Sequence, residues 1–194
     1  MFSGVQHIPL AGGGLDYYPD YLVDPQALYT ELRESIPWEQ PLISLYGQQH
    51  QTPRLLYFVG DTDLVYQYSG ISHAAAPWPK SLSQLRERLL AETGYDFNCA
   101  LLNYYRNGDD RMGYHSDDEP ELGDSPCIAS ISVGAERDFC LKPKSAATKM
   151  QKINLASGSL LIMLPPTQRN WQHALPVRKG VTQGRINITF RKLL

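Results

Sequence analysis

The residues best suited to chemistry are two histidines and one aspartate in the C-terminal half of the chain. In the segment Tyr114-His115-Ser116-Asp117 two ligand types stand two residues apart, and on a strand such residues point the same way. His173 lies downstream, in the strand-like stretch WQHALPV. Two imidazoles and one carboxylate, leaving open coordination positions, form the ligand set of non-haem iron(II) oxygenases. The alternative interpretation is a surface histidine beside a solvated acidic turn.

The last apolar segment of the chain carries a second polar set. Its alternation places Ile186, Ile188 and Phe190 on one face, and Arg185, Asn187, Thr189 and Arg191 on the other. On an edge strand the polar face would simply be solvated. Inside a small barrel, buried guanidinium groups need an anion, and arginine binds carboxylates in bidentate geometry. We therefore expect a dicarboxylate such as 2-oxoglutarate there, with neutral hydrogen bonds from Asn103 and Tyr105.

The elements that must position these residues are mainly short strands. A helix is expected from Asp24, as cap, and Pro25 to the residues before Pro37, and a second helix over 81–92. The predicted strands are 42–46, 54–59, 98–105, 128–133, 138–142, 159–164 and 185–193. Many short strands after residue 98, separated by turn signals, favour a jelly roll or barrel over a parallel α/β sheet. The Gly12-Gly13-Gly14 run is interpreted as a flexible N-terminal segment.

Composition is that of an ordinary globular domain. The chain has 194 residues, of which 42% are hydrophobic and 20% charged, so one domain is expected. No apolar stretch approaches the roughly 20 residues that cross a bilayer, and the N-terminus lacks a signal pattern. We expect a cytoplasmic protein, or a nuclear one in a eukaryote. Cys99, Cys127 and Cys140 include no CxxC pair and lie in apolar runs, which indicates buried free thiols.

The charge is distributed unevenly along the chain. All 20 acidic residues lie at or before Asp138, whereas the residues after it contain 10 of the 18 lysines and arginines. Such asymmetry suggests a polyanionic partner. It is equally consistent with an acidic part that packs against a basic part of one domain, and the net charge of −2 gives no support to nucleic acid.

Several long segments together resemble one enzyme family. The HSD motif at 115–117, the isolated His173 and RINITFR at 185–191 resemble the AlkB-type Fe(II)/2-oxoglutarate-dependent dealkylating dioxygenases. The similarity extends through 101–123, 125–139 and 158–179, and more weakly through 45–54 and 65–70, so that it covers roughly 40–194. It is strongest to the DNA-repair branch related to human AlkB homologues 2 and 3.

This resemblance implies a fold and a set of cofactors. The fold would be mainly β with flanking helices (α+β), a single domain over 1–194 with a double-stranded β-helix, or cupin-like jelly-roll, core at about 95–194. An N-terminal extension and nucleotide-recognition lid would occupy about 1–75. The expected cofactors are Fe(II), 2-oxoglutarate and O2. Iron would be bound by His115, Asp117 and His173, and 2-oxoglutarate by Asn103, Tyr105, Arg185, Asn187, Thr189 and Arg191. Of the arginines, Arg185 is expected at the distal carboxylate and Arg191 at the iron-proximal end.

The resemblance also implies a reaction. It is oxidative dealkylation of N-alkylated bases such as 1-methyladenine and 3-methylcytosine in DNA, single- or double-stranded, with 2-oxoglutarate decarboxylated to succinate and CO2. Three alternatives remain open: demethylation or hydroxylation of RNA, hydroxylation of a protein or small molecule, and a non-catalytic nucleic-acid-binding module. The protein would act as a monomer without membrane attachment.

Candidate substrate contacts follow from the need to hold a base outside its stack. Tyr66 and Tyr68 share a strand face and would stack on or hydrogen-bond the base, with His115 covering the other side. Asp118 and Glu119 would accept hydrogen bonds from an exocyclic amine or offset a cationic base. The alternatives are ordinary packing for the tyrosines and a solvated turn for the acids.

A second group of candidates would contact the rest of the nucleic acid. Tyr46-Gly47-Gln48 occupies the place where duplex-specific relatives insert an apolar finger, and Gln48 replaces a basic residue of the family, which puts duplex preference in doubt. The expected phosphate contacts are Arg54, Arg169, Arg178 and Lys179, each otherwise a solvated side chain. So modest a basic patch predicts weak, salt-sensitive binding.

Overall fold

The computed structural model describes residues 4–45, 48–68, 71–145 and 149–194. Within these ranges the chain forms two sheets that face each other, two smaller hairpins and a few helices. The helices are α1 (Pro25–Ser35), α2 (Lys80–Thr93), the short α3 (Thr167–Asn170) and a 3-10 turn (Pro120–Leu122). The strands are β1 (Gln6–Leu10), β2 (Gly13–Tyr18), β3 (Leu42–Leu45), β4 (Gln48–Gln51), β5 (Leu55–Gly60), β6 (Val65–Tyr68), β7 (Ile71–Ala74), β8 (Cys99–Tyr105), β9 (Met112–His115), β10 (Ile128–Gly134), β11 (Arg137–Pro143), β12 (Gln151–Leu155), β13 (Leu160–Leu164), β14 (Trp171–Leu175) and β15 (Arg185–Arg191).

The order of the strands is that of a jelly roll rather than of a parallel sheet. The large sheet has the order β1-β2-β13-β10-β15-β8-β5, and the small sheet the order β12-β11-β14-β9. Neighbouring strands run antiparallel in both sheets. β3 pairs with β4, and β6 with β7, as separate hairpins. The mainly β, jelly-roll fold with flanking helices is therefore confirmed.

The space between the two sheets is filled by apolar side chains from both. Leu15, Ile128 and Met163 of the large sheet pack in one buried cluster with Leu141 and Trp171 of the small sheet. Burial of this kind stabilises a fold by about 25 cal/mol per Å² of apolar surface removed from water. One end of the same space is lined with polar groups instead, and the functional residues lie there.

The opposite face of the large sheet is covered by α1 and α2. Leu32 and Leu89 of the helices pack in one cluster with Ile188 and Phe190 of β15. The side chain of Asp24 caps α1 by accepting a hydrogen bond from the Ala27 amide. Because the apolar face of β15 faces the helices, its polar face points between the sheets, as the alternation predicts.

The N-terminal segment differs from its interpretation as a flexible piece. Residues 6–18 form the β1–β2 hairpin, and β2 pairs with β13 in the large sheet. Gly12 has φ of +71°, and a Cβ at Gly13 would approach Thr167 Oγ1 to 2.5 Å. The glycines are required by a tight turn that packs against α3, so the prediction of flexibility is wrong.

The division of the chain also differs from the one expected. β1, β2 and β5 lie within residues 1–75, yet they belong to the large sheet. Of the strands in that N-terminal portion, those of the β3–β4 and β6–β7 hairpins are hydrogen-bonded to neither sheet. The remaining predicted elements recur within one or two residues, whereas β1, β2, β4, β7 and β12 were not predicted.

Candidate active site

The three predicted metal ligands converge at one end of the space between the sheets. One ligand atom from each of His115, Asp117 and His173 lies within 4.8 Å of the other two. His115 Nε2 and Asp117 Oδ1 are 4.0 Å apart, and the two imidazole centroids are 4.2 Å apart. In the described part of the chain this is the one group of His, Cys, Asp and Glu side chains with such geometry.

The imidazoles are positioned by strand pairing and by packing. His173 on β14 stands opposite His115 on β9 in the antiparallel register. The ring of Phe139 stacks on His173 at a centroid distance of 5.2 Å. His115 Nδ1 lies 3.0 Å from the carbonyl oxygen of Gly113, which fits a tautomer that donates from Nδ1 and leaves Nε2 free for a metal.

Asp117 is held in a different way from the one that the sequence suggested. β9 ends at His115, so Asp117 lies beyond the strand and strand alternation does not aim it. Its backbone amide donates to the Oε1 atom of the buried Gln168, at 2.9 Å. Its Oδ1 atom accepts a hydrogen bond of 2.8 Å from Arg191 Nη2. The predicted convergence is confirmed, but two long-range contacts produce it.

Burial and the neighbouring charges fix the protonation of the three groups. Desolvation, and the nearby His115, lower the pKa of His173 to about 3. Desolvation also lowers the pKa of His115, against the effect of Asp117. Burial alone would raise the pKa of Asp117, but Arg191 and the imidazoles outweigh it and the pKa falls to about 2. At neutral pH the cluster therefore presents two neutral imidazoles and one carboxylate, the forms that bind a divalent metal.

The residues predicted to bind the cosubstrate lie in the same cavity. Its lining includes all three candidate metal ligands and the full predicted set of Asn103, Tyr105, Arg185, Asn187, Thr189 and Arg191. All six side chains of that set are at least nine-tenths buried. The residues come from β8 and β15, which are neighbours in the large sheet with Asn187 opposite Asn103 and Arg185 opposite Tyr105.

Hydrogen bonds preorganise this set. Arg185 Nη2 donates to Ser132 Oγ and to Asn187 Oδ1, each at 2.8 Å, and Asn187 Nδ2 donates to Thr189 Oγ1 at 2.6 Å. Burial lowers the pKa of Arg185 to about 10, so the guanidinium remains charged at neutral pH. The pKa of Arg191 is raised because the effect of Asp117 outweighs burial.

Several buried polar atoms of the cavity have no hydrogen-bond partner within the protein. They are Asp117 Oδ2, Arg185 Nε, and Arg191 Nε and Nη1. Burying a polar group without a partner costs free energy. A divalent cation at the carboxylate and an anionic cosubstrate at the guanidinium groups would supply the missing partners, so the residues present fit both groups.

Sequence reasoning missed three residues of the site. Ser130 and Ser132 lie on β10 and contact Asn187 and Arg185, and Gln168 holds the Asp117 amide. The sequence could have identified the serines, because IASISV alternates hydroxyl and apolar side chains in a buried strand. It could not have identified Gln168, whose role depends on a contact across 51 positions.

Two candidate base contacts are placed beside the metal cluster. Tyr66 is fully buried, packs on Phe58 at a centroid distance of 5.5 Å and lies 5.7 Å from the Arg191 guanidinium carbon. No ring face of Tyr66 is exposed, so its predicted stacking on a base is not available in this structure. Burial and the nearby Asp117 raise the pKa of Glu119. Tyr66 is close enough to influence that pKa, so the two side chains are neighbours beside the metal cluster.

The predicted phosphate contacts divide into two kinds. Arg54 is 3% exposed and its Nε donates to Asn103 Oδ1 at 2.7 Å, so its assignment to a phosphate is wrong. Arg178 is exposed but forms an ion pair with Asp138, and Arg169 donates to the carbonyl oxygen of Asp124. Lys179 is exposed. The last three remain at the surface, where a phosphate could reach them.

The other candidates for nucleic-acid contact lie at or beyond the described residues. Asp118 is exposed and pairs with Lys144 at 3.0 Å, and Gln48 is exposed on β4. Tyr46 and Gly47, the predicted finger, fall outside the described residues, and so does the side chain of Tyr68.

A jelly roll with this arrangement of ligands and buried arginines defines the class of non-haem iron oxygenases that use a keto-acid cosubstrate. Comparison with known proteins identifies the family: the chain belongs to the 2OG-Fe(II) oxygenase superfamily, which it matches over residues 14–191. It is accordingly an Fe(II)- and 2-oxoglutarate-dependent dioxygenase. No helix in the described ranges is long and apolar enough to cross a membrane.

The curated relatives carry more specific names. The chain is 36% identical to the DNA oxidative demethylase ALKBH2 of Mus musculus, across 97% of this chain and 84% of that protein. It is 41% identical to ALKBH2 of Homo sapiens, across 78% of this chain and 61% of that protein. It is 37% identical to the human alpha-ketoglutarate-dependent dioxygenase alkB homolog 3, across 97% of this chain and 70% of that protein. The resemblance to AlkB-type enzymes is confirmed.

Solved structures support the fold independently. The structure of OsALKBH1 superposes with a TM-score of 0.68 at 15% identity, covering 97% of this chain and all of that one. A 2OG-Fe(II) oxygenase family oxidoreductase from Burkholderia pseudomallei superposes with a TM-score of 0.61 at 15% identity, covering 91% of this chain and 84% of that one. At this identity the likeness concerns the fold alone.

Proposed function

We propose that this protein repairs DNA by oxidative dealkylation of bases such as 1-methyladenine and 3-methylcytosine. The observation that carries the proposal is the cavity in which the His115, Asp117 and His173 cluster adjoins two buried arginines. Two relatives named as DNA oxidative demethylases are 36% and 41% identical to it over the aligned residues, which points to alkylated DNA as the substrate.

Nine residues of the cavity have a proposed role. His115, Asp117 and His173 hold Fe(II), because their protonation at neutral pH and their mutual distances suit that ion. Arg185, with Tyr105, binds the distal carboxylate of 2-oxoglutarate, and Arg191 lies at the end nearest the metal because it contacts Asp117. The other cavity residues assigned to the cosubstrate are Asn103, Asn187 and Thr189.

When bound, iron(II) with 2-oxoglutarate supplies the oxidising chemistry: O2 is consumed, the keto acid leaves as succinate and CO2, and one oxygen atom is inserted at the N-alkyl carbon. The protein's part is to orient the reactants and to exclude water from a buried cavity. The N–C bond of the hydroxylated methyl group then breaks: its electron pair stays on the ring nitrogen and removes the positive charge, the carbon leaves as formaldehyde, and the hydroxyl proton is released to solvent.

The base would be recognised by the residues that follow the metal ligand. Glu119 is half-buried, its Oε2 atom has no hydrogen-bond partner within the protein, and it lies beside Tyr66. A carboxylate so placed can accept a hydrogen bond from the exocyclic amine of adenine or cytosine and offset the positive charge of the alkylated ring. Tyr68 of β6 remains the candidate for stacking on the base.

Contacts to the nucleic-acid backbone are proposed to be few. Arg169, Arg178 and Lys179 are the candidates that remain at the surface, and two of them already interact with acidic neighbours. Binding should therefore be weak and sensitive to salt. All residues assigned to the metal and the cosubstrate come from one chain, which supports a monomer. The proposed substrate would place the enzyme wherever the cell keeps its DNA.

Turnover of a matched panel of oligonucleotides tests the proposal. Single-stranded DNA, duplex DNA and RNA, each with one 1-methyladenine or 3-methylcytosine, are incubated with Fe(II) and 2-oxoglutarate, and succinate and repaired base are quantified. Repair of DNA at higher kcat/KM than RNA is expected, whereas a clear RNA preference would favour the RNA demethylase. Succinate release without repair of any oligonucleotide would point to a protein or small-molecule substrate.

Two substitutions serve as controls in the same assay. His115→Ala and Asp117→Ala remove metal ligands and should abolish turnover while the folded protein still binds oligonucleotide. Retention of base repair by either variant at the Fe(II) concentration that saturates the unaltered protein would contradict the assigned metal site. Absence of 2-oxoglutarate turnover in the unaltered, iron-loaded protein would favour a non-catalytic binding module.

A further inference from the structure

Arg137, the first residue of β11, is a buried cation outside the cavity lining. Its side chain is 2% exposed, and its guanidinium donates three hydrogen bonds to backbone carbonyl oxygens. The acceptors are Asn107 at 3.1 Å, Asp110 at 2.9 Å and Pro176 at 2.6 Å. Burying a guanidinium costs free energy, so the three carbonyl contacts indicate that Arg137 has a role at its buried position.

The three carbonyl groups belong to two loops that carry the site. Asn107 and Asp110 lie in the loop that leaves β8 after Tyr105 and leads to β9. Pro176 begins the loop that leaves β14 and leads to Arg185. The two loops are also joined directly, since the Gly108 amide donates to Val181 and the Gly108 carbonyl accepts from Arg178. Arg137 therefore ties together the chain segments that end at Tyr105 and begin at Arg185.

The charge of Arg137 also lies behind the distal end of the cavity. Its guanidinium carbon is 5.9 Å from the centroid of the Tyr105 ring, and that of Arg185 is 5.5 Å from the same centroid. Burial is the main cause of the lowered pKa of Arg185, and the positive charge of Arg137 adds to it. One phenol ring thus lies close to two buried cations.

These two cations have no carboxylate of their own. Among the residues that the structure describes, neither Arg137 nor Arg185 takes part in an ion pair within 4.0 Å, and the Nε atom of each has no hydrogen-bond partner. Burial lowers the pKa of Arg137, and Asp110 and Asp138, both beyond ion-pair distance, offset only part of that effect. Each of these acids is paired more closely with another arginine, Asp110 with Arg106 at 2.8 Å and Asp138 with Arg178. The distal end of the cavity therefore carries an excess of positive charge.

We propose that Arg137 is a positioning residue for the cosubstrate: it fixes Tyr105 and Arg185 through the two loops and makes the distal end of the cavity selective for a dicarboxylate. The proposal rests on the assignment of Arg185 to the distal carboxylate. It predicts that loss of the Arg137 charge weakens ligands with a second carboxylate far more than keto acids without one, because the attraction is strongest for the carboxylate nearest to the excess charge.

Direct binding to the iron-loaded protein under anaerobic conditions tests this. The two probes are 2-oxoglutarate and 2-oxopentanoate, which has the same chain length but lacks the distal carboxylate. Arg137→Gln keeps donors for the carbonyl groups and removes the charge, so calorimetry should give a Kd for 2-oxoglutarate raised ~10-fold. The Kd for 2-oxopentanoate should change less than about twofold. Arg137→Lys keeps the charge and should fall between Arg137→Gln and the unaltered protein.

Arg111→Met is the matched control, because it removes an exposed guanidinium from the same loop and leaves Asp110 and Asp138 with their own arginine partners. Its preference for 2-oxoglutarate over 2-oxopentanoate should equal that of the unaltered protein. Equal weakening of both ligands in Arg137→Gln, or no change in either, overturns the proposal. If Arg137→Gln fails to fold, the preference for 2-oxoglutarate over 2-oxopentanoate is measured in two other variants. An unchanged preference in Arg137→Met, or a preference in Arg137→Lys above that of the unaltered protein, then overturns the proposal.

Arg185→Met separates this proposal from the assignment on which it rests. That variant should lose the preference for 2-oxoglutarate almost completely. If it keeps the preference, the distal carboxylate lies elsewhere and the proposed arrangement of the cosubstrate fails. If Arg185→Met loses the preference while Arg137→Gln keeps it in full, only the role of Arg137 is refuted.

Discussion

Arg191 Nη2 and Asp117 Oδ1 form a hydrogen-bonded ion pair of 2.8 Å between the last strand and the metal cluster. The exposed fraction of either side chain is below 5%. The pair joins the candidate metal site to the candidate cosubstrate site, because one partner belongs to each. Asp117 keeps a second oxygen, Oδ2, without a partner in the protein, so the ion pair leaves it able to bind a cation.

The first prediction concerns the stability that this pair provides. Arg191→Met leaves a buried carboxylate uncompensated, so the free energy of unfolding of the metal-free protein should fall by ~3 kcal/mol. Saturating Fe(II), added anaerobically, should restore part of the loss because a cation again faces Asp117. Urea denaturation with and without metal measures both effects. Arg33→Met, which removes an exposed ion pair with Glu34, should change the free energy of unfolding neither with nor without metal. An equal loss of stability with and without metal in Arg191→Met would contradict the prediction.

A second prediction concerns Gln168, which no sequence pattern identified. Its Oε1 atom accepts from the Asp117 amide and its Nε2 atom contacts Met163 Sδ. Gln168→Leu preserves the volume but leaves the Asp117 amide unsatisfied, so Fe(II) should bind roughly 10- to 100-fold more weakly. A competition titration against a metal-sensitive dye measures the affinity. Arg169→Leu, at the next position and exposed, is the control; comparable weakening in both variants would show that Gln168 has no specific role.

A third prediction tests Glu119 as the contact to the exocyclic amine. Glu119→Gln should lower kcat/KM about tenfold for 3-methylcytosine, since a charged acceptor facing a cationic base is lost. Activity on 3-methylthymine, which carries no exocyclic amine and is neutral, should change far less. Both lesions are placed in one oligonucleotide sequence and repair is followed by mass spectrometry. Glu87→Gln, which alters an exposed acid on α2, should leave the ratio of the two activities unchanged.

The sequence predicted the site better than it predicted the N-terminal portion of the fold. The polar face of β15 was readable because strand alternation is strict and because arginines buried between sheets need an anion. Gln168 and Arg137 were not readable, since their roles depend on contacts between segments far apart in the chain. The Gly12-Gly13-Gly14 run was misread because glycine serves both flexible segments and tight turns, and only the approach of Thr167 distinguishes them.

Substrate contacts were the least predictable for a related reason. Tyr66 and Arg54 have side chains suited to a base and a phosphate, yet both are buried, and Arg54 donates to Asn103. The sequence reveals which side chains are present on a strand, but the packing of β5 and β6 against the rest of the chain decides whether they reach solvent.

A fourth prediction concerns the three cysteines, which are free in the structure, as expected. Cys99 is buried as predicted, whereas Cys127 and Cys140 are partly exposed. Burial raises the pKa of Cys99 to about 11 and that of Cys127 to about 12, and it raises the pKa of Cys140. A raised pKa keeps the thiol protonated, so at pH 8 an aromatic disulfide reagent should label the native protein at least ~10-fold more slowly than a free thiol. All three should react at once in denaturant; rapid labelling of a cysteine in the folded protein would contradict the prediction.

The last prediction returns to the two loops that Arg137 joins. Gly108 lies in the loop after β8, and a Cβ there would overlap the carbonyl oxygen of Arg178, a backbone atom that cannot turn aside. Gly108→Ala should therefore lower the free energy of unfolding by ~3 kcal/mol and also weaken 2-oxoglutarate binding, because the loops must separate. Gly113→Ala is the matched control, since a Cβ at Gly113 meets nothing within 4 Å. Urea denaturation and calorimetry should show a large loss of stability and of 2-oxoglutarate affinity for Gly108→Ala and almost none for Gly113→Ala. Similar behaviour of the two variants would mean that the contact between the loops does not stabilise the cosubstrate site.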